Sequence, residues 1–159
     1  MEIKVGMADL NVCTAPDSII TMGLGSCVGV VLWDKYTKVC GMVHVMLPDS
    51  TAISQNSNKA KFADTGIDEL LKKVVEKGAR KERLVAKIAG GATMFSANVN
   101  SPTLRIGERN VEAVKKKLAS LKIPIIAEDT GENYGRTVTF YPETGVYNIR
   151  AIGKAVRDI

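Results

Sequence analysis

Aromatic side chains are scarce: one Trp, four Tyr and three Phe make up 5% of the 159 residues. A chain this poor in rings, and without a dense Lys/Arg block, points away from nucleic acid despite its net charge of +5. The excess of 22 Lys and Arg over 17 Asp and Glu reads first as a solvated basic face and second as attraction to an acidic partner. Histidine occurs once, at His44, and cysteine three times, at Cys13, Cys27 and Cys40, with no CxxC pair. An odd cysteine count gives no disulfide framework, and a lone imidazole builds no common zinc site, so neither a metal nor a cofactor is expected. No apolar run approaches the roughly 18 residues of a membrane span, and no basic stretch precedes an apolar core at the start. The expectation is a cytoplasmic protein without membrane insertion. Internal repeats, low-complexity tracts and Pro/Gly/Ser linkers are also missing, which predicts one domain over residues 1–159.

What is present is enough apolar content, 45%, for a substantial core. Residues 2–13 read as one or two strands ending at the turn-forming Ala15-Pro16-Asp17-Ser18. Gly23 and Gly25 then suggest a bent or open backbone up to Cys27. The β-rich runs 28–33 and 39–46 flank a hairpin turn at 34–37, and a polar loop follows from Pro48 to Lys59. Apolar spacing predicts helices over 61–77, stopped by Gly78, and over 108–121. A strand over 84–89, a polar loop over 96–103, a strand over 125–128 and a hairpin of 137–141 with 146–150 complete the pattern. The fold class expected is α+β, sandwich-like, with mixed, largely antiparallel sheets and two main amphipathic helices packed on them.

The chemistry concentrates at Cys27 and His44. A symmetric loop centred between Lys35 and Tyr36 pairs Asp34 with Thr37, and the same register carried outward sets Cys27 directly opposite His44. Opposed residues share a face with Cβ atoms about 4.5–5.5 Å apart, so imidazole could take the thiol proton and leave an activated nucleophile. A loop one residue longer or shorter would send them to opposite faces. Gly25, Ser26 and Cys27 offer uncrowded N–H groups for an oxyanion, and the Thr21 hydroxyl could orient the imidazole as a third member. Gly90 and Gly91 are candidates for close approach to substrate, or simply for a tight turn. The plain alternative for the pair is a buried thiol and a satisfied core histidine; Cys13 and Cys40 are read that way, as small buried hydrophobes.

Gly23-Leu24-Gly25-Ser26-Cys27-Val28, with His44 in the next strand, resembles the signature of the CheD family of chemoreceptor glutamine deamidases. Further matches follow in order at Gly90-Gly91-Ala92 with Met94-Phe95, Ile106-Gly107 with Arg109-Asn110, and Gly135-Arg136 followed by Thr144-Gly145. One departure is Gly131-Glu132, where the family pattern carries a second glycine. The resemblance implies conversion of selected glutamines to glutamates in the cytoplasmic helices of chemotaxis receptors, through a thioester, with Cys27, His44 and Thr21 as the catalytic set. It also implies the receptor-adaptation phosphatase CheC as partner. Receptor methyl esters, which present the same carbonyl to a thiolate, are a candidate second substrate. For a basic enzyme acting on acidic helices, Lys59, Lys61, Arg105 and Arg109 are candidate contacts that could equally be solvated cations.

Two other readings keep part of this pattern. A cysteine peptidase or acyl transferase would use the same dyad on a different substrate, and a non-enzymatic module would bind acidic helices by charge alone.

Overall fold

The structure, a computed structural model, describes residues 1–94 and 105–159. The loop expected over 96–103 lies outside the described residues. Among the described residues, ten strands form two five-stranded sheets. The first sheet runs in the order β1 (Glu2–Val5), β3 (Ser18–Leu24), β8 (Arg136–Tyr141), β9 (Val146–Arg150) and β10 (Arg157–Asp158). The second runs β2 (Leu10–Thr14), β5 (Val39–Val45), β4 (Val28–Asp34), β6 (Leu84–Gly90) and β7 (Ile125–Thr130). Only β1 with β3 and β6 with β7 pair in parallel, so both sheets are mixed and largely antiparallel, and with the two helices they make the α+β fold expected.

Helices α1 (Ala63–Lys77) and α2 (Ile106–Ser120) cover one face of the second sheet. Ile67, Leu70 and Val74 of α1 and Val114 and Leu118 of α2 pack on Val28, Val30, Leu32, Val43 and Val45. The opposite face, carrying Val31, Trp33, Cys40 and Met42, meets Ile19, Val138, Phe140 and Tyr147 of the first sheet. Strands β4 and β5 are therefore buried at every position, which is why their sequence reads as continuous apolar runs rather than alternation. Gly78, with φ 123, ends α1 as expected, its N–H turned back to the Val74 and Val75 carbonyls. The short β10 was not anticipated: two exposed residues carry no periodicity.

The first hairpin requires a correction. Its register is Asp34 with Val39, Trp33 with Cys40 and Gly29 with His44, two residues away from that expected, so Cys27 is not directly opposite His44. The cause is local. The Asp34 carboxylate accepts the Tyr36 and Thr37 N–H groups, and Lys38 enters the left-handed region at φ 60. Together they lengthen the loop to residues 35–38, closed by Lys38 N–H to the Asp34 carbonyl. A shift of two keeps every side chain on its face.

Candidate active site

The layer between the sheets holds the three residues singled out as catalytic. On β5, Cys40, Met42 and His44 alternate toward the first sheet, while Val39, Val43 and Val45 face the helices. Cys27 lies one residue before β4, within the same apolar cluster as Val31 and Trp33. On a strand continued to Cys27, thiol and imidazole would be diagonal rather than direct neighbours, about 7–8 Å apart at their α-carbons. His44 is fully buried and Cys27 is 7% exposed.

Thr21 comes from the other sheet. Its hydroxyl lies 2.8 Å from His44 Nδ1 and donates its one proton to the Val5 carbonyl at 2.8 Å, the residue beside it on the parallel strand β1. With that proton committed, Thr21 Oγ1 accepts, so Nδ1 must carry the imidazole proton. His44 Nε2 is then the unprotonated nitrogen, and among the described residues nothing hydrogen-bonds it. A buried lone pair left without a donor is costly in a resting core and useful in a base. Burial pushes the His44 pKa down and the Cys27 thiol up, so both environments favour the neutral pair.

The backbone around Cys27 is folded by glycine. Register between β3 and β8 shifts between Thr21 and Leu24, Gly23 adopts φ 76, and Met22 is thrown out to 57% exposure. Leu24 then turns back into the core, and Gly25 N–H reaches the Gly23 carbonyl. Beyond it the chain is stitched to the end of β6: Gly91 N–H donates to the Cys27 carbonyl at 2.8 Å and Ala92 N–H to the Gly25 carbonyl at 2.9 Å. A Cβ at Gly90, where φ is 113, would stand 2.2 Å from the Cys27 carbonyl oxygen; one at Gly91 would stand 2.2 Å from Val111 Cγ2. Both glycines thus admit close approach, but to the Cys27 backbone and to α2. The Gly25 and Gly91 N–H groups are occupied in these bonds, whereas among the described residues no acceptor takes the N–H of Ser26 or Cys27.

Two contributors left no mark in the sequence reading. Val5 acts through a carbonyl, which any residue owns. Tyr147, fully buried, donates its hydroxyl to the Gly29 carbonyl at 2.9 Å, directly across from His44. Cys13 and Cys40, treated as separate hydrophobes, are cross-strand partners with sulfurs 3.5 Å apart. Of the proposed basic contacts, Arg105 pairs with Glu108 at 3.1 Å and Lys59 lies 3.9 Å from Glu69, while Arg109 is exposed. Among the described residues no cluster of His, Cys, Asp and Glu suits a metal ion. Among the described residues no helix is long and apolar enough to cross a membrane.

Comparison with known proteins places this geometry in context. The family model for CheD chemotactic sensory transduction matches residues 46–151. That segment starts just past His44, so the three candidate catalytic residues are covered only by full-length relatives. The chain is 63% identical to the probable chemoreceptor glutamine deamidase CheD of Lachnoclostridium phytofermentans, over 99% of this chain and 98% of that protein. It is 56% identical to the chemoreceptor glutamine deamidase CheD of Halalkalibacterium halodurans, with the same coverage of each. The corresponding protein of Caldanaerobacter subterraneus is 55% identical over 99% of this chain and 97% of its own.

Proposed function

The chain belongs to the CheD family, and from that premise we propose that it is a chemoreceptor glutamine deamidase in which Cys27 is the nucleophile, His44 the base and Thr21 the residue that holds His44. Cys27 Sγ attacks the carboxamide carbon of a receptor glutamine as its proton passes to His44 Nε2. The oxyanion forms against the free backbone N–H groups of Ser26 and Cys27. His44 Nε2–H then protonates the departing nitrogen, the C–N bond breaks and ammonia leaves a thioester. Water, deprotonated by the same nitrogen, attacks the thioester; glutamate is released and the thiol regains its proton. The sum is glutamine plus water giving glutamate plus ammonia. A receptor methyl ester presents the same carbonyl and would lose methanol by the same steps.

The observation that carries this reading is the Thr21–His44 bond: with the Thr21 proton given to Val5, it leaves Nε2 as the basic atom on the face that Cys27 also occupies. The net charge of +5 suits approach to glutamate-bearing receptor helices on the cytoplasmic side, where a CheC-type phosphatase would compete for the same surface. The test is mass spectrometry of a purified receptor cytoplasmic fragment incubated with wild type, Cys27→Ala and His44→Ala. Glutamine-to-glutamate conversion by wild type alone supports the reading. New fragment termini would instead mark a peptidase, and equal binding without conversion by all three proteins would leave a binding module.

A further inference from the structure

Helix α2 buries Gly107, Asn110, Val114 and Leu118 along one stripe, and Asn110 is the one polar side chain among them, fully buried. An asparagine there is unfavourable both for the helix and for the core. Its amide nitrogen donates to two carbonyls, Ser26 at 3.0 Å and Met46 at 2.9 Å. Because both partners accept only, the NH₂ and not the oxygen must face them. Asn110 Oδ1 is left buried and without a partner among the described residues, a cost that an apolar side chain would avoid. The two carbonyls belong to the residue before Cys27 and to the residue two beyond His44.

The Ser26–Cys27 peptide is trans, so its C=O and N–H point in opposite directions. Holding the Ser26 carbonyl toward α2 turns the Cys27 N–H away from the helix. No group among the described residues accepts that N–H.

We propose that Asn110 is a positioning residue for the oxyanion hole, fixing the plane of the Ser26–Cys27 peptide so that the Cys27 N–H is aimed at the oxygen on which charge develops. The proposal rests on the deamidase reading and adds to it a residue that touches neither substrate nor nucleophile. Its counterpart bond to Met46 sets that peptide plane relative to the strand carrying the base.

The test compares two reactions of the same thiol. Deamidation builds charge on a carbonyl oxygen, whereas alkylation of Cys27 by iodoacetamide is a displacement that builds none. In Asn110→Ala and the size-preserving Asn110→Leu, with folding verified by circular dichroism, kcat for glutamine conversion should fall at least about tenfold, with KM within about twofold. The rate and pH profile of Cys27 alkylation, read at that residue by peptide mass spectrometry, should stay within about twofold of wild type. Deamidation unchanged in a folded variant overturns the proposal. So does a parallel loss of both reactions, or failure of both variants to fold, since either makes Asn110 a structural tie alone. A wild-type protein that alkylates at Cys27 but converts no glutamine would instead defeat the deamidase reading, and this proposal with it.

Discussion

Imidazole can act as a base only while neutral, and burial holds the His44 pKa below its ordinary 6.5. The acid limb of kcat/KM for deamidation should therefore fall below pH 6.5, and a limb above it would contradict the buried, neutral base. The same depression has a consequence for stability. Between the folded and the unfolded pKa the unfolded chain binds the extra proton, so this residue's contribution is intact above pH 6.5 and declines as pH falls through that window. His44→Gln, compared with wild type in urea melts across that range, should flatten this part of the pH profile. Thr21→Val, which keeps the shape but removes the acceptor at Nδ1, should lower kcat about 10–100-fold while Thr21→Ser retains most of it. Equal activity of the valine and serine variants would show that the 2.8 Å contact does not orient the base. Cys27 and His44 stood out in the sequence because one of only three cysteines immediately precedes an apolar run and the one histidine falls within the next. The Val5 carbonyl that commits the Thr21 proton did not, since a backbone acceptor 16 residues away has no signature in side-chain type.

Elements enter through backbone conformations that few residues tolerate. Gly90 sits at φ 113 with the Cys27 carbonyl where its Cβ would be, and backbone cannot step aside as a side-chain tip can. Gly90→Ala should push the Cys27 segment off the end of β6, abolishing deamidation while the helices, measured by circular dichroism, persist. Activity near wild type in that variant would mean that the β6 end does not support the Cys27 segment. Glu132 offers the converse case: at φ 63 it holds a left-handed conformation that glycine adopts without cost, and its carbonyl takes the Thr93 N–H at 2.9 Å. Glu132→Gly should stabilise the protein by about 0.5–1 kcal/mol in urea unfolding, and a destabilised variant would show that the glutamate side chain outweighs the strain. The two long helices and most strands were readable from apolar spacing, whereas the hairpin register was not. It turned on how Asp34 caps its own turn and on one positive φ at Lys38, neither of which a count of loop residues contains. The two-residue shift left Cys27 and His44 on one face, diagonal to each other rather than directly opposed.

Over the whole molecule, the arrangement places the candidate chemistry across a seam. Thr21 belongs to the first sheet, while His44 belongs to the second and Cys27 immediately precedes that sheet's β4. Polar ties span the same seam. Arg136 of β8 pairs with Asp129 of β7 at 3.0 Å with both side chains buried, Arg157 adds a second contact to Asp129 at 3.3 Å, and Lys87 Nζ donates to the Gly145 and Ile159 carbonyls. Arg136 also pairs through its backbone with Leu24, where the bulge after Thr21 ends. Removing it leaves Asp129 with the exposed Arg157 alone, so Arg136→Leu should cost about 3 kcal/mol. Gly41→Ala should cost about 1–3 kcal/mol by a different route, since the added Cβ would meet Leu70 Cδ1 at 2.6 Å and Val74 Cγ1 at 2.7 Å on the helix side of β5. If alignment of the two sheets sets the Thr21–His44 contact, the variants will separate in activity even where they match in stability. Under conditions in which both remain folded, Arg136→Leu should lose kcat about tenfold or more, while Gly41→Ala stays within about threefold. Urea midpoints and kcat measured on the same preparations decide the matter: losses of kcat that simply follow stability in both variants would mean that the seam between the sheets holds the molecule together without tuning its chemistry.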